Sequence, residues 1–338
     1  MAKLLLAAGT SLSPLLTIPP EYWPDYCKTD MTRKVNRRDG SSISYEELRA
    51  QTADRYASQV TPAAFRQRAA LARGHLRRIA AALDAANPDV VVVVADDRAE
   101  LFDGATCPAI AVYRGAELTN SGIDRRTALF LGADNGPQPA WRRGIHAAQA
   151  LPAERHYPGH PAFADSLTEA LIGRDVDVAV AAAPRDPADG GVGFAWGFVI
   201  NQLLGERRIP VVPVMLNTWF APNVPTPGRC FRIGRALRAA ISEVSLDMRV
   251  AVVCGGGMSH VGIDPNIDRR LLDALLAHDA ATLGAIPRAM LISGTCQLLT
   301  WILLAGLVDL LENDWLEYLP VYRTAAGTGI GMAFGCWS

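Results

Sequence analysis

"DVVVVVAD", residues 89–96, places five valines in a row between two aspartates. Consecutive β-branched side chains favour a strand. The absence of any polar alternation means that both of its faces are covered, as in a parallel sheet between helical layers. Working outward, similar short apolar runs at 3–8, 108–113, 176–182, 209–216 and 249–254 read as further strands. Between them lie alanine-rich amphipathic stretches at 62–86, 161–173, 195–206, 227–243 and 266–283, and a more apolar one at 295–312. The first opens at Thr61-Pro62 and stops before Pro88, as a capped helix should. This alternation predicts an α/β fold with a mostly parallel central sheet and helices on both faces. No repeat, low-complexity tract or linker divides the chain, so residues 1–338 are expected to form a single domain. Two segments, about 17–60 and 114–158, break the rhythm and read as long rim insertions that cover or shape a site.

Composition excludes several classes of function. With 33 basic and 34 acidic residues the net charge is -1, which is no electrostatic footprint for nucleic acid or an anionic membrane. The apolar runs are too short or too interrupted to span a bilayer, which takes about 20 residues. The opening "MAKLLLAAGTSLSP" runs into a strand-loop pattern without a cleavage region and reads as mature protein. Six cysteines without a CxxC pair, several of them inside apolar runs, fit a reducing cytoplasm.

In such sheets ligands bind where strands end at their carboxyl termini. The informative loops are therefore 9–14 (GTSLSP), 96–102 (DDRAELF), 190–198, 217–227 (NTWFAPNVPTP) and 255–260 (GGGMSH). The three glycines of the last allow a sharp turn presenting His260, whose ordinary pKa suits acid/base work; capping of the following helix is the alternative. The segment is not a nucleophile elbow, because Val261 stands where G-x-S-x-G needs glycine. Asp96, Asp97, Arg98 and Glu100 follow the valine strand. Adjacent residues point to opposite faces, so at most two of them converge, and a local Asp–Arg ion pair is the simpler reading. The glycine-rich loops match neither GxGxxG nor a P-loop. His146, His156 and His160 cluster in the second insertion, although Pro158 and Gly159 make "HYPGH" a turn rather than a ligand set. His75 and His278 read as solvated.

The order and wording of these loops resemble the class III, LigB-type extradiol ring-cleavage dioxygenases, the superfamily of the protocatechuate 4,5-dioxygenase catalytic subunit. "GTSLSPLLTIPPEYW" resembles a family opening GTSHSP, "VVVVADDRAELF" a strand ending in GDDQ or NDH, and "IPVVPVMLNTWFAPNVPTPGRCFRIGRAL" and "GGGMSH" run close to family text. "SGTCQLLTWILLAGL" and "YRTAAGTGIGMAFGCW" resemble the family's ending. The resemblance implies a LigB-like fold and, in the family, Fe(II) held by two histidines and a carboxylate. It also implies that His260 is the acid/base. It places Leu12 where a liganding histidine is expected, Arg98 at the histidine of NDH, Gln297 at the liganding glutamate, Ser166 at a histidine of the second sphere and Phe194 at another pocket histidine. None of these replacements is a good ferrous ligand, so the expectation is no metal and no cofactor, with Fe(II) as the alternative.

The sequence thus predicts a LigB-like protein with a degenerate iron site. It would act without metal on a phenolic or related cyclic compound by C–C cleavage, isomerisation or decarboxylation. His260 would be the acid/base, assisted by Arg98 and by Asp96 or Asp97, in a pocket lined by Leu12, Phe194, Trp219, Phe220, Ser166 and Gln297. Two alternatives remain open: an Fe(II) dioxygenase with displaced ligands, and a non-catalytic subunit paired with a catalytic paralogue. Self-association into a homo-oligomer and a cytoplasmic location are also expected.

Overall fold

The computed structural model describes the chain except residues 38, 40, 121–139, 148–152, 186–190 and 193–194. In chain order its strands are β1 (Lys3–Thr10), β2 (Val35–Asn36), β3 (Ser42–Ile43), β4 (Val90–Ala95), β5 (Ile110–Tyr113), β6 (Glu117–Asn120), β7 (Arg155–Pro158), β8 (Ala179–Ala181), β9 (Val211–Leu216), β10 (Arg249–Gly255), β11 (His260–Gly262), β12 (Asn313–Tyr322) and β13 (Thr328–Trp337). The valine run is β4, buried along its whole length at the centre of the main sheet. Among the described residues that sheet has the order β11-β13-β1-β10-β4-β9-β5-β8, with β12 on β13. β1, β10, β4 and β9 are mutually parallel. The sheet is therefore parallel where the sequence is most apolar, and antiparallel joints flank that core: β5 runs against β9, and β13 against β1.

Apolar layers cover both faces. On one face lies the 25-residue helix Pro62–Ala86, whose N-cap Thr61 accepts the Ala64 N–H and whose last turn ends on Asn87 at φ 44°. On the other face Pro227–Glu243 packs against Leu298–Leu307 so closely that a Cβ on Gly306 would stand 1.9 Å from the Phe231 carbonyl oxygen.

Several expected boundaries shift for local reasons. The helix expected over 266–283 is two, Pro265–Leu276 and Ala280–Gly284, because His278 takes a positive φ of 53° and Asp279 caps the second. The helix expected over 195–206 becomes Ala195–Val199 followed by a π-turn at Ile200–Leu204. The helix expected over 295–312 begins as a 3-10 turn, Ser293–Gln297, and is α-helical only over Leu298–Leu307. The β12–β13 hairpin carries no periodic signal of its own, since β13 is buried at every position.

All six cysteines are unpaired, and five of them are buried. His75 is half-buried rather than solvated, stacked on Phe334 at 5.3 Å. Among the described residues no helix is long and apolar enough to cross a membrane.

Candidate active site

The carboxyl ends of β1, β4 and β10 deliver their loops to one cavity of about 460 Å³. Leu12, Arg98, Trp219, His260 and Gln297 line it. Tyr26, Arg33 and Lys34 of the first insertion and Arg323 of the β12–β13 turn line it as well. The insertion thus does cover the site.

His260 opens β11, and its half-buried ring is closed in by two glycines. A Cβ on Gly257 would stand 2.0 Å from His260 Cε1, and one on Gly294 would stand 2.5 Å from Cγ. Nδ1 lies 2.8 Å from the Met258 carbonyl oxygen. A carbonyl only accepts, so Nδ1 carries the proton and Nε2 offers its lone pair. Burial, opposed by that hydrogen bond and reinforced by the nearby charges of Arg323 and Arg98, pushes the imidazole down to about 4. It is therefore neutral at pH 7. The next residue, Val261, is held at φ 64°, a strained conformation for a β-branched residue and one that clusters at functional sites.

Asp96, fully buried, is gripped from two sides: Arg98 Nε donates to Oδ2 at 2.7 Å and Gln297 Nε2 donates to Oδ1 at 3.1 Å. Burial pushes its carboxyl above the usual range, and Arg98 and Gln297 pull it back. The Arg98 guanidinium also lies 4.1 Å from the centre of the Trp219 ring. The other amide end of Gln297 accepts the Gly257 N–H at 2.8 Å. Leu12 is buried against the backbone of Gly255, where an added Cβ would meet its Cδ1 at 3.1 Å.

Three expected residues fall elsewhere. Asp97 points away from the cavity, and its carboxylate accepts the N–H groups of Glu100, Leu101 and Phe102, which closes the loop instead of serving His260 or Arg98. Phe220 does not line the cavity; its ring lies under Gly104, and its carbonyl accepts from Asn217. Ser166 lies on the helix Pro161–Ile172 and is not part of the lining either. Phe194 lies outside the described residues, as does the His146 side chain. His156 pairs with Glu117, and His160 Nδ1 caps the helix at Phe163, so the "HYPGH" pair serves local structure. Among the described residues no three His, Cys, Asp or Glu side chains converge as a metal cluster.

Sequence reasoning missed Arg323. Its Nε donates at 2.8 Å to Asp30, a fully buried carboxylate, so the turn of the last hairpin is tied to the first insertion across nearly the whole chain. No spacing rule links positions 293 residues apart.

The carboxyl edge of this α/β sheet thus gathers an imidazole, three arginines and aromatic side chains around one cavity of small-molecule size. A family model described as the catalytic LigB subunit of aromatic ring-opening dioxygenase matches residues 59–333, and the chain belongs to that family. It is similar to a gallate dioxygenase from Pseudomonas putida, at 32% identity over 44% of this chain and 45% of that protein. A 2,3-dihydroxyphenylpropionate/2,3-dihydroxicinnamic acid 1,2-dioxygenase from Mycobacterium ulcerans is 33% identical over 32% of this chain and 35% of its own length. The matched stretches thus span less than half of either relative.

Proposed function

We propose that this LigB-family protein is a metal-independent enzyme that moves protons on a phenolic or related cyclic compound. Support comes first from the donor set. The family's iron needs two imidazoles and a carboxylate on one face of the ion. At the corresponding positions Leu12 has no lone pair, Arg98 is a cation engaged with Asp96, and the Gln297 oxygen already accepts a backbone N–H. That set does not fit a ferrous ion, and no step here runs through one.

The observation that carries the reading is the pairing, in one cavity, of a neutral His260 with the Arg98 guanidinium. A ring hydroxyl lying against Nε2 transfers its proton there. The oxyanion left behind is stabilised by Arg98, which Asp96 and Trp219 hold in a fixed place and which needs no reorganisation as charge develops. The imidazolium so formed is acidic, since burial depresses its pKa to about 4. It therefore returns the proton to carbon as a carboxylate leaves as carbon dioxide, as water takes up a departing acyl group to give a carboxylic acid, or as a double bond migrates. Tyr26, Phe198 and Trp219 supply ring-sized apolar walls, and Arg33 and Lys34 add positive charge at the lining. C–C cleavage, isomerisation and decarboxylation all follow this proton path.

The test is incubation of purified protein with a panel of hydroxylated aromatic acids, with and without a strong chelator, with substrate loss and oxygen uptake followed together. Turnover that survives the chelator, consumes no oxygen and disappears in His260→Ala supports the reading. Turnover that takes up oxygen and needs added ferrous ion refutes it.

A further inference from the structure

Behind the catalytic loop lies a buried carboxylate that the mechanism above does not use. Asp268, fully buried on the helix Pro265–Leu276, accepts the Ser259 N–H at 2.9 Å on Oδ1. Its Oδ2 accepts the Ser259 hydroxyl at 2.6 Å and the Tyr318 hydroxyl at 2.7 Å. The Ser259 oxygen in turn accepts the Asp264 N–H at 2.9 Å and closes the turn onto the helix. Gly331 leaves room for the carboxylate, because a Cβ there would stand 2.1 Å from Asp268 Oδ2.

The Ser259 N–H and the Met258 carbonyl belong to the same peptide group. One end of that group points at Asp268 Oδ1, and the other accepts the His260 Nδ1–H at 2.8 Å. Two hydrogen bonds joined through one peptide polarise each other: negative charge at the N–H end makes the carbonyl a stronger acceptor. A stronger acceptor holds the imidazole in the Nδ1–H tautomer and raises the basicity of Nε2.

We propose that Asp268 is a positioning residue that acts on His260 through the Met258–Ser259 peptide, fixing its tautomer and strengthening it as a base. This rests on His260 being the proton acceptor, yet its test reads the imidazole directly and needs no substrate. The carboxyl is pushed up to about 6, with burial as the main cause and the Ser259 and Tyr318 hydrogen bonds opposing it. Other groups facing Asp268 are Asp264, Tyr322 and, over the Tyr318 ring, Arg269. Arg98 and Arg323 face His260. The arginines stay charged and burial pushes both phenols up, so neither the arginines nor the phenols change charge between pH 5 and 8.

The experiment is NMR of the full-length protein labelled with nitrogen-15 at histidine, with His260 assigned by its loss in His260→Ala. At pH 8 the ring is expected wholly as the Nδ1–H tautomer. Its Nδ1–H resonance should move upfield as Asp268 takes up a proton near pH 6, and in Asp268→Asn the pH dependence should vanish with the signal at its upfield position. Tyr318→Phe removes a donor that lowers the carboxyl, so the midpoint should rise; this variant decides the matter if Asp268→Asn does not fold. A pH-independent Nδ1–H signal in the native protein, the same titration in Asp268→Asn, or an unmoved midpoint in Tyr318→Phe would overturn the proposal. A purely structural role for Asp268 would lower Tm without moving the titration.

Discussion

Gln297 donates through Nε2 to Asp96 Oδ1 at 3.1 Å while its Oε1 accepts the Gly257 N–H at 2.8 Å. A carboxamide offers both a donor and an acceptor where an ionised carboxylate offers only acceptors, so this position favours a neutral side chain. Gln297→Glu would set a second carboxylate against a buried one. We expect a loss of about 1–3 kcal/mol at pH 8, the cost of a buried acceptor left without its donor. The loss should be smaller at pH 5 than at pH 8, because burial already raises the Asp96 carboxyl and a falling pH favours a proton shared by the pair. Urea unfolding at both values checks this, and equal losses at both would count against it.

Arg98 neutralises Asp96, which is otherwise shut away from water. Arg98→Met should destabilise by about 3 kcal/mol, the scale for removing one partner of a buried ion pair. The double variant Asp96→Asn/Arg98→Met should recover part of that loss. A double-mutant cycle by chemical denaturation measures the coupling, and strict additivity would show that the two residues do not act as a unit.

Gly257 and Gly294 leave the His260 ring only a slot. An alanine at either position must displace the imidazole, whose atoms stand 2.0 Å and 2.5 Å from the added carbons. Against any substrate found by the panel assay, each variant should lose roughly the 10²–10⁴-fold that a positioned acid/base group contributes. Near-native turnover in both would mean that His260 is not the group in use.

The pH dependence of stability carries the mark of His260. With its pKa near 4 in the folded chain and 6.5 ordinarily, the folded state refuses a proton that the unfolded chain accepts. Its contribution therefore falls as pH drops from about 6.5 to about 4 and changes no further below that. Asp268, raised to about 6 from 3.8, works the other way and loses stability as pH rises across 4 to 6. His260→Ala removes only the first effect. Relative to the native protein it should gain roughly 1–2 kcal/mol between pH 7 and pH 4.5, less than the full shift because the ring is partly open to solvent. Thermal or urea unfolding across that range checks it, and a constant difference would argue against a depressed imidazole.

Much of the parallel core was legible because strands buried on both faces announce themselves by unbroken apolar runs, as β4 and β9 do. The helix Pro62–Ala86 and the helix Pro227–Glu243 were readable to the residue, because proline after threonine marks each start. The β12–β13 hairpin was not, since its burial comes from partners far along the chain. Leu12, Arg98, Trp219 and His260 do meet, as the order of loops at the strand ends implied, and Gln297 joins them as the family resemblance implied. Of the alternatives Asp96 or Asp97, alternation could not say which one lines the cavity, nor that three backbone N–H groups take the Asp97 carboxylate. Arg323 and Tyr26 escaped notice because their place depends on a contact with Asp30 that closes only in three dimensions.

Equilibrium binding of ferrous ion under strictly anaerobic conditions, read as metal per chain after removal of the loosely held fraction, addresses the central claim most directly. The account predicts iron far below one per chain, unchanged by His260→Ala. One tightly held ferrous ion per chain that is lost with His260 would contradict it.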